Sequence, residues 1–479
     1  MENYEDLQPK EVFKWFRKIS DIPRCSGNEK EVSDFLVDFA RERDLQVVQD
    51  EEFNVIIKKS ATLGYEDSPG VIIQGHMDMV CEKTSDSNHD FEKDPIQWEV
   101  EGDYLYAVDT SLGGDNGIAV AYGLALLDDD SIEHPDLEVL ITTNEETGMD
   151  GANAIKAKDL DGDILLNLDA EVEGVFLASC SGGANSFVSF EKEFTDYEGH
   201  ILDLDISGLL GGHSGMEIHK QRGNSIKILG RLLYGIGREM DYKIIDLQAG
   251  SKHNAIPNKG SVKVWVEDLD KAKEILNQNI DDIKKELIIS DKDLEINYKT
   301  GNDKGRSYTE ELSERLTRFM MIVPDGVRTM SLEIEGLVES SCNEGVILND
   351  EDNITFMASV RSNISSLRDH QLREIEIIAD LLDAKSWVEK EHPAWEFEAD
   401  SPVRDLALEV YADLFNEKAE IGAEHCSLET GLLNVIKPGM DILSYGPDLI
   451  DVHSVNEHLS IKSAERVWEF TKALLKEIK

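Results

Sequence analysis

Short, continuously apolar segments alternate with helical patterns in the first third of this chain, and this alternation restricts the fold more than any other feature. Three of the segments, Val71–Gln74, Leu137–Thr143 and Ile164–Leu168, have the length and composition of strands buried on both faces. Between them, Gly117–Leu127 is small and apolar enough to form a buried helix. The pattern predicts the α/β class, with a mostly parallel or mixed sheet that is covered by helices.

The middle of the chain has a different pattern. Between about Gly183 and Trp395, strands of alternating polarity are interleaved with amphipathic helices, which is typical of an α+β domain. The end of the chain, with a predicted closing helix at Ile461–Ile478, returns to the first pattern. Because 479 residues are too many for one ordinary core, we expect a split domain with an insert. The predicted ranges are 1–186 and 397–479 for the split α/β domain and 187–396 for the inserted α+β domain.

The predicted elements of the insert are four strands and four helices. The strands are Ile201–Ile206, Ser261–Val266, Thr329–Glu335 and Ile354–Val360, and the helices are Ser225–Gly235, Leu269–Lys285, Glu310–Met321 and Leu367–Leu382.

Charge excludes several classes of partner. The chain has 98 Asp and Glu against 48 Lys and Arg, a formal net charge of −50, so it lacks the basic surface that nucleic acids or anionic membranes require.

Other sequence features concern location. There is no run of ~18 apolar residues that could span a membrane. The segment Met1–Asp6 lacks the basic start of a signal peptide. The five cysteines are widely spaced and form no C-x-x-C pair, so we expect reduced thiols and a cytoplasmic protein.

Polar side chains follow the buried strands, where ligands bind in open α/β sheets. His76 and Asp78 follow the first strand, Glu145 and Glu146 the second, and Asp169 the third. Each segment alone is as well or better explained as an ordinary polar turn. Adjacent carboxylates at a buried strand end are costly, however, unless cations or donors meet them. The Glu pair therefore divides naturally into one metal ligand and one general base.

Two further residues extend this set. Asp115 precedes the apolar helix and could be a plain N-cap, and His453 lies far along the chain, where a surface loop is the commoner role. Together the set has two imidazoles and three carboxylates, which match two divalent ions, with Asp115 as the candidate bridge. Zinc is the expected metal, although manganese and cobalt accept the same ligands. The predicted ligands are His76, Asp115, Glu146, Asp169 and His453.

The order of these motifs resembles that of the di-metal aminopeptidase/carboxypeptidase clan. Within it, the chain resembles the aminoacyl-histidine dipeptidases, also called peptidase D or cytosol non-specific dipeptidases, essentially from end to end. The segments that carry the resemblance, besides those already named, are His89–Ile96, Gly211–Gly215, Asn254–Pro257, Val360–Ser362 and His425–Gly431. The last of these departs from the family's His-Ala-Gly-Leu-Glu-Cys-Gly, which leaves the substrate preference open.

The resemblance implies a role for each of the catalytic residues. His76 and Asp169 would hold one metal, Glu146 and His453 the other, and Asp115 would bridge them. Asp78 would orient His76, and Glu145 would be the general base that activates water.

The resemblance also implies a role for the insert as a lid and dimerisation domain. His213 would donate to the oxyanion, in relatives from the partner subunit, although its loop could also be a simple tight turn. Asn254 and Arg361 would hold the substrate, with Arg361 binding a dipeptide's terminal carboxylate, and His425 and Glu429 would complete the substrate site. The implied function is hydrolysis of dipeptides, Xaa-His among them. The alternatives are an aminoacylase, deacetylase or tripeptidase of the same clan, or a non-catalytic acidic scaffold.

Overall fold

The computed structural model describes residues 7–479, so the prediction for Met1–Asp6 lies outside the described residues. The helices are α1 Lys10–Ser20, α2 Lys30–Arg41, α3 Gly114–Asp128, α4 Glu145–Gly148, α5 Asp150–Ala154, α6 Ser225–Gly237, α7 Leu269–Glu286, α8 Glu310–Ile322, α9 Ser365–Leu381, α10 Pro402–Phe415, α11 Glu429–Ile436 and α12 Ile461–Glu477. The strands are β1 Gln46–Gln49, β2 Val55–Lys59, β3 Val71–His76, β4 Trp98–Glu101, β5 Tyr104–Ala107, β6 Leu137–Thr142, β7 Ile164–Asn167, β8 Val175–Cys180, β9 Gly182–Glu191, β10 Phe194–Ser207, β11 Tyr242–Ala249, β12 Gly260–Val266, β13 Glu295–Tyr308, β14 Gly326–Met330, β15 Val338–Asn349, β16 Asn353–Ser362, β17 Lys385–His392, β18 Glu420–Glu424, β19 Asp441–Ser444, β20 Leu449–Ile450 and β21 His458–Ser460.

The chain divides into two compact units. The first contains the residues up to Cys180 together with Trp395–Ala423 and Leu428–Lys479, and the second contains Ser181–Ala394 and Glu424–Ser427. The first unit therefore consists of discontinuous parts of the chain. The short segment 424–427 belongs to the second unit, although the predicted ranges place it in the returning part of the split domain.

The first unit is built on an eight-stranded mixed sheet of order β1-β2-β6-β3-β7-β19-β8-β18. At its centre, β3 is parallel to both β6 and β7, and β19 is parallel to β7, whereas β2 pairs with β6 in the antiparallel direction. The register aligns His76 with Thr142 and Gln74 with Asn167. The carboxyl ends of three central strands therefore meet at one edge of the sheet, as the sequence predicts. A second, four-stranded sheet of order β20-β21-β5-β4 completes this unit.

Burial explains why these segments form this structure. Every residue of β3 and β6 is buried, and α3 is buried from Gly114 to Leu127, so apolar side chains are favourable on all sides of these elements. The α/β fold class that the sequence predicts is confirmed.

The second unit contains two antiparallel sheets, of order β11-β12-β10-β13 and β14-β15-β16-β9-β17. The helices α6 to α9 contribute to a separate apolar core with these sheets. One predicted strand is wrong in extent, because β14 ends at Met330 instead of continuing to Glu335. The Ser331 hydroxyl accepts the N–H groups of Glu333 and Ile334, which turns the chain there.

The expectation of reduced thiols throughout is wrong for one pair of cysteines. Cys25 and Cys81 form a disulfide, with Cα atoms 5.7 Å apart, although 56 positions separate them in the sequence. The backbone of Cys25 lies beside that of Met79, which brings the two segments together in a way that spacing alone does not reveal. Within residues 7–479, no helix combines the length and apolar character needed to cross a membrane.

Candidate active site

The five predicted metal ligands all lie in the first unit, at the edge where the central strands end. His76 is the last residue of β3, Asp169 follows β7, and Glu146 lies in the short helix α4 that follows β6. Asp115 is in the first turn of α3, and His453 lies between β20 and β21. The ligating atoms of His76, Asp115 and Glu146 lie within 4.8 Å of one another.

Asp115 lies between the two histidines. Its Oδ1 is 3.1 Å from Nε2 of His76, and its Oδ2 is 3.0 Å from Nε2 of His453. The backbone of Asp115 is not helical, with φ of −80° and ψ of 107°, although the residue lies in the first turn assigned to α3. Both carboxylate oxygens of Asp115 thus contact imidazoles, which a plain helix cap would not require.

Each histidine has a second carboxylate of its own. Oδ1 of Asp169 is 3.5 Å from Nε2 of His76, and Oε2 of Glu146 is 2.9 Å from Nε2 of His453. The five side chains thus form two imidazole–carboxylate pairs that share the carboxylate of Asp115. This arrangement agrees with the ligand division that the family resemblance implies.

The electrostatics of the cluster favour bound cations. Burial alone would favour a neutral His76, yet the carboxylates of Asp169 and Asp115 raise the pKa of His76 well above its usual range. Burial likewise opposes ionisation of Asp115, but hydrogen bonds from His453 and His76 lower its pKa. The buried carboxylates outnumber the imidazoles, so positive charge is favourable at this position. A set of two imidazoles and three carboxylates fits two divalent ions.

Asp78 connects His76 to the helix that carries the two glutamates. Its Oδ1 is 3.3 Å from Nδ1 of His76, and its carboxylate accepts the backbone N–H groups of Glu145 and Glu146. Ser26 also donates to Asp78, over 2.7 Å. Asp78 can therefore fix both the ring of His76 and the start of α4.

Glu145 lies next to the cluster, and its pKa is raised well above the ordinary value, first by burial and then by the carboxylates of Asp169 and Glu429. Asn144, directly before it, has a left-handed backbone with φ of 53°, a conformation that asparagine tolerates better than most residues. This turn lets the chain leave β6 and enter α4 with both glutamates at the sheet edge.

Glu429 is completely buried beneath the ends of β3 and β6. Its Oε2 accepts hydrogen bonds from Gln74, over 2.5 Å, and from Thr142, over 2.6 Å. Burial raises the pKa of Glu429 to about 7, and no hydrogen-bond partner of its Oε1 occurs within the described range. The structure thus places Glu429 among strand residues, and the predicted substrate contact stays a prediction.

Asn116 is a residue of this region whose role the motifs do not reveal. Its Oδ1 accepts the N–H of His76, and its Nδ2 donates to the carbonyl of Leu168 over 2.8 Å. It therefore joins the ends of β3 and β7, next to two of the predicted ligands. The only sequence signal is its position directly after Asp115.

In the second unit, Arg361 lies on β16, and a histidine lies near each of the two residues paired with it. It is paired with Ser341 on one side and with Gly183 on the other. Ser341 is hydrogen-bonded to Nε2 of His425, over 2.6 Å, and the ring of His392 occupies the space that a side chain at position 183 would need. Arg361 is thus placed between two imidazoles.

Both imidazoles next to Arg361 are neutral, so the positive charge of this cluster lies on the arginine. Burial, followed by the charge of Arg361, lowers the pKa of His425 to about 3 and that of His392 to about 4. Across residues 7–479 Arg361 forms no salt bridge, and its buried Nε has no hydrogen-bond partner. A buried guanidinium without a carboxylate partner is able to pair with an anion.

His213 and Asn254 lie on neighbouring backbone segments of the same unit. Ser214 donates to the carbonyl of Asn254 over 2.9 Å, and Nδ1 of His213 accepts the N–H groups of Gly215 and Met216. Gly215 approaches Cys426 so closely that a side chain would collide with its sulfur. The His213 loop therefore packs on the segment that contains His425.

Sequence reasoning missed His392. This residue ends β17, a strand that its polar sequence does not predict. Its position near Arg361 depends on Gly183 of β9, a strand that comes far earlier in the chain but lies between β16 and β17 in the sheet. No pattern in a single sequence indicates that pairing.

Comparison with known proteins assigns the family. Residues 72–477 match the model of peptidase family M20/M25/M40, so the chain belongs to that family. The cytosol non-specific dipeptidase of Escherichia coli strain K12 is 36% identical over 483 residues, covering 100% of this chain and 99% of that protein.

Solved structures agree with this assignment. The aminoacylhistidine dipeptidase of Vibrio alginolyticus is 36% identical and superposes with a TM-score of 0.92, covering 100% of this chain and 98% of the other. A tripeptidase of Staphylococcus aureus, 16% identical with a TM-score of 0.57 over 98% and 99% of the two chains, shares the fold. The resemblance to the aminoacyl-histidine dipeptidases is confirmed.

Proposed function

We propose that this chain is a dipeptidase that uses two divalent metal ions per subunit and Glu145 as its general base. The observation that carries the proposal is the position of Asp115, whose two oxygens face different histidines, each of which has a further carboxylate. That arrangement is the one expected of a bridged pair of metals.

The metals would be held by the two imidazole–carboxylate pairs and by the carboxylate of Asp115 that the pairs share. His76 and Asp169 would bind one ion, His453 and Glu146 the other, and Asp115 both. When bound, two such ions lower the pKa of water and polarise a carbonyl group. We propose zinc, while manganese and cobalt suit the same donors.

The chain's own groups would move the protons. Glu145 lies beside the ligand cluster and would accept a proton from the attacking water and then donate it to the leaving amine. Asp78 would keep His76 and α4 in position through the contacts described above. His213 would donate to the oxyanion of the tetrahedral state, a contribution typically worth ~3–4 kcal/mol.

Substrate length would be set in the second unit. Asn254 and His425 of this unit would help to hold the substrate, and the contact expected of Glu429, a residue of the first unit, stays a prediction. Arg361 would bind the terminal carboxylate of a dipeptide. The support for this step is the uncompensated charge of Arg361 between two neutral imidazoles. The dipeptidase names of the two relatives at 36% identity agree with it.

Assembly and location are also part of the proposal. We expect a homodimer formed through the second unit, in which His213 reaches the active site of the partner subunit. We expect a cytosolic enzyme, in agreement with the name of the Escherichia coli relative. The composition argues against nucleic acid or membrane partners.

The test is a substrate panel on metal-defined protein. Chelator-treated protein would be reloaded with zinc, manganese or cobalt, its metal content measured, and each form offered Xaa-His dipeptides, the same dipeptides amidated, a tripeptide and an N-acetyl amino acid. We expect two ions per subunit and a clear preference for free dipeptides. Preference for the N-acetyl amino acid or the tripeptide would replace the proposal by the corresponding alternative, and activity without metal would refute it.

A further inference from the structure

Glu457 is a buried acid whose carboxylate is directed at the backbone of the turn that carries Asp115. Only 3% of the residue is exposed. Its Oε2 accepts the N–H groups of Leu112, over 2.8 Å, and Gly113, over 2.9 Å. Its Oε1 accepts those of Gly114, over 2.7 Å, and Asp115, over 3.2 Å. Four successive peptide N–H groups thus converge on one carboxylate, and charge-assisted hydrogen bonds of this kind are the stronger ones.

Arg24 holds the same turn through its carbonyl groups. This arginine is buried as well, and its Nη2 donates to the carbonyl of Gly113 over 2.5 Å. Its Nη1 donates to the carbonyls of Met77, over 2.9 Å, and Asp78, over 3.2 Å. Arg24 therefore connects the Asp115 turn to the end of β3, where His76 lies.

These close contacts explain why the segment Gly113-Gly114-Asp115-Asn116-Gly117 contains three glycines. A Cβ atom at Gly113 would come 2.6 Å from Sδ of Met79 and would collide with Arg24, and one at Gly117 would come 2.6 Å from Nη2 of Arg24. A Cβ atom at Gly114 would come 2.6 Å from Leu449. Gly113 also has a φ of 68°, which favours glycine. The motif makes room for the charged groups that hold it.

We propose that Arg24 and Glu457 are positioning residues that clamp the Gly113–Asp115 turn, so that each oxygen of Asp115 faces its own histidine. Glu457 comes four positions after His453, so one short segment supplies both a predicted ligand and the group that fixes the bridging carboxylate. The two groups hold the turn through different backbone atoms, Glu457 through N–H groups and Arg24 through the carbonyl of Gly113. The inference rests on the proposed bridging role of Asp115 and adds the residues that hold it in place.

Glu138 offers a matched control. It is also a buried glutamate of the first unit, and its Oε1 accepts the N–H groups of Asp161, over 2.6 Å, and Gly162, over 2.9 Å. It lies near the start of β6, at the opposite end of the strand from the candidate site. A merely structural role of Glu457 would make its loss resemble the loss of Glu138.

The experiment compares Glu457→Gln with Glu138→Gln. In the glutamine, an NH₂ group replaces one acceptor and meets N–H donors, while the size of the side chain is kept. Zinc affinity would be measured by chelator competition on metal-free protein, thermal unfolding on the same samples, and kcat on reloaded protein. We expect Glu457→Gln to bind zinc ~10- to 100-fold more weakly than wild type, the range typical of groups that orient metal ligands. Glu138→Gln should keep wild-type zinc affinity even where it loses as much thermal stability.

Arg24→Lys serves as a second variant in case Glu457→Gln does not fold. Lysine keeps the charge but loses the fork that spans the carbonyls of Gly113 and Met77, so zinc affinity should fall here as well. Wild-type affinity in either folded variant, or an equal loss in Glu138→Gln, would overturn the clamp. Failure of the wild-type protein to bind two ions would instead overturn the proposed function.

Discussion

Replacement of Arg361 by methionine tests whether this arginine selects the substrate's terminal carboxylate. Methionine fills a similar volume without charge or hydrogen-bond donors. The comparison needs two substrates, a dipeptide with a free carboxylate and the same dipeptide amidated. The two proteins and two substrates form a thermodynamic cycle, so the interaction between guanidinium and carboxylate can be separated from general damage to the site.

The surroundings of Arg361 predict a strong interaction between its guanidinium and the substrate's terminal carboxylate. Ser341 and His425 lie on one side of Arg361 and His392 on the other, and burial and the arginine's charge keep both histidines neutral. Burial also lowers the pKa of Arg361, which shows how little solvent compensates its charge. Loss of one partner from a buried charged pair typically costs 2 to 5 kcal/mol, which is roughly 30- to 5000-fold in kcat/KM.

The assay is kcat/KM for all four combinations. Wild-type enzyme should lose roughly 30-fold or more on amidation, whereas Arg361→Met should cleave the two substrates at similar, low rates. Arg368→Met is the control, because Arg368 donates to the carbonyl of His392 but already has Asp369 as its partner. That variant should keep the wild-type penalty for amidation.

One result would refute the reasoning. If Arg361→Met retains the full amidation penalty, the carboxylate is recognised elsewhere, and the charge of Arg361 serves another purpose. A uniform loss on both substrates would lead to the same conclusion.

Three further predictions concern the base, the subunits and stability. Glu145→Ala should keep both metals by elemental analysis but lose ~100-fold or more in kcat, since only Glu146 is expected to bind a metal; loss of a metal would mean that the two glutamates are reversed. A mixture of inactive His213→Ala and Glu145→Ala proteins should regain activity once subunits exchange, and no recovery despite exchange would place His213 in its own subunit's site. Burial, with the charge of Asp325, raises the pKa of Glu344 to about 8, so the folded state holds one proton more than the unfolded state between about pH 4.5 and 8. Its contribution to the free energy of unfolding therefore falls by about 1.4 kcal/mol per pH unit over that range, and thermal melts should show Glu344→Gln, unlike the exposed Glu351→Gln, losing this dependence.

The elements that sequence reasoning predicted best are those whose burial matches their composition. β3, β6 and α3 are apolar throughout because they are buried on all sides, and the closing helix α12 has an apolar face that packs on the core. The same reasoning located the candidate site, since the polar residues that follow buried strands must lie at the sheet edge. For these elements, local sequence and tertiary environment agree.

Two of the strands that the sequence did not predict are edge strands with mostly polar sequences. β13 runs over Glu295–Tyr308 with most of its residues exposed, and its pairing with β10 supplies the backbone hydrogen bonds that its side chains do not indicate. β17 is another edge strand with a mostly polar sequence. The disulfide between Cys25 and Cys81 depends on how two distant segments meet. None of these features leaves a periodic signal in the sequence.

The residues around Asp115 show why a sequence motif identifies metal ligands more readily than the residues that hold those ligands in position. Histidines and carboxylates that bind metals are recognisable because only a few residue types have that chemistry. Arg24 and Glu457 instead bind backbone groups, which every residue has, so nothing at positions 112–115 identifies the partners. What the sequence does retain is the space they need, as glycine at positions 113, 114 and 117. A run of glycines beside a candidate ligand therefore predicts that other groups approach the backbone closely, and the structure is needed to identify them.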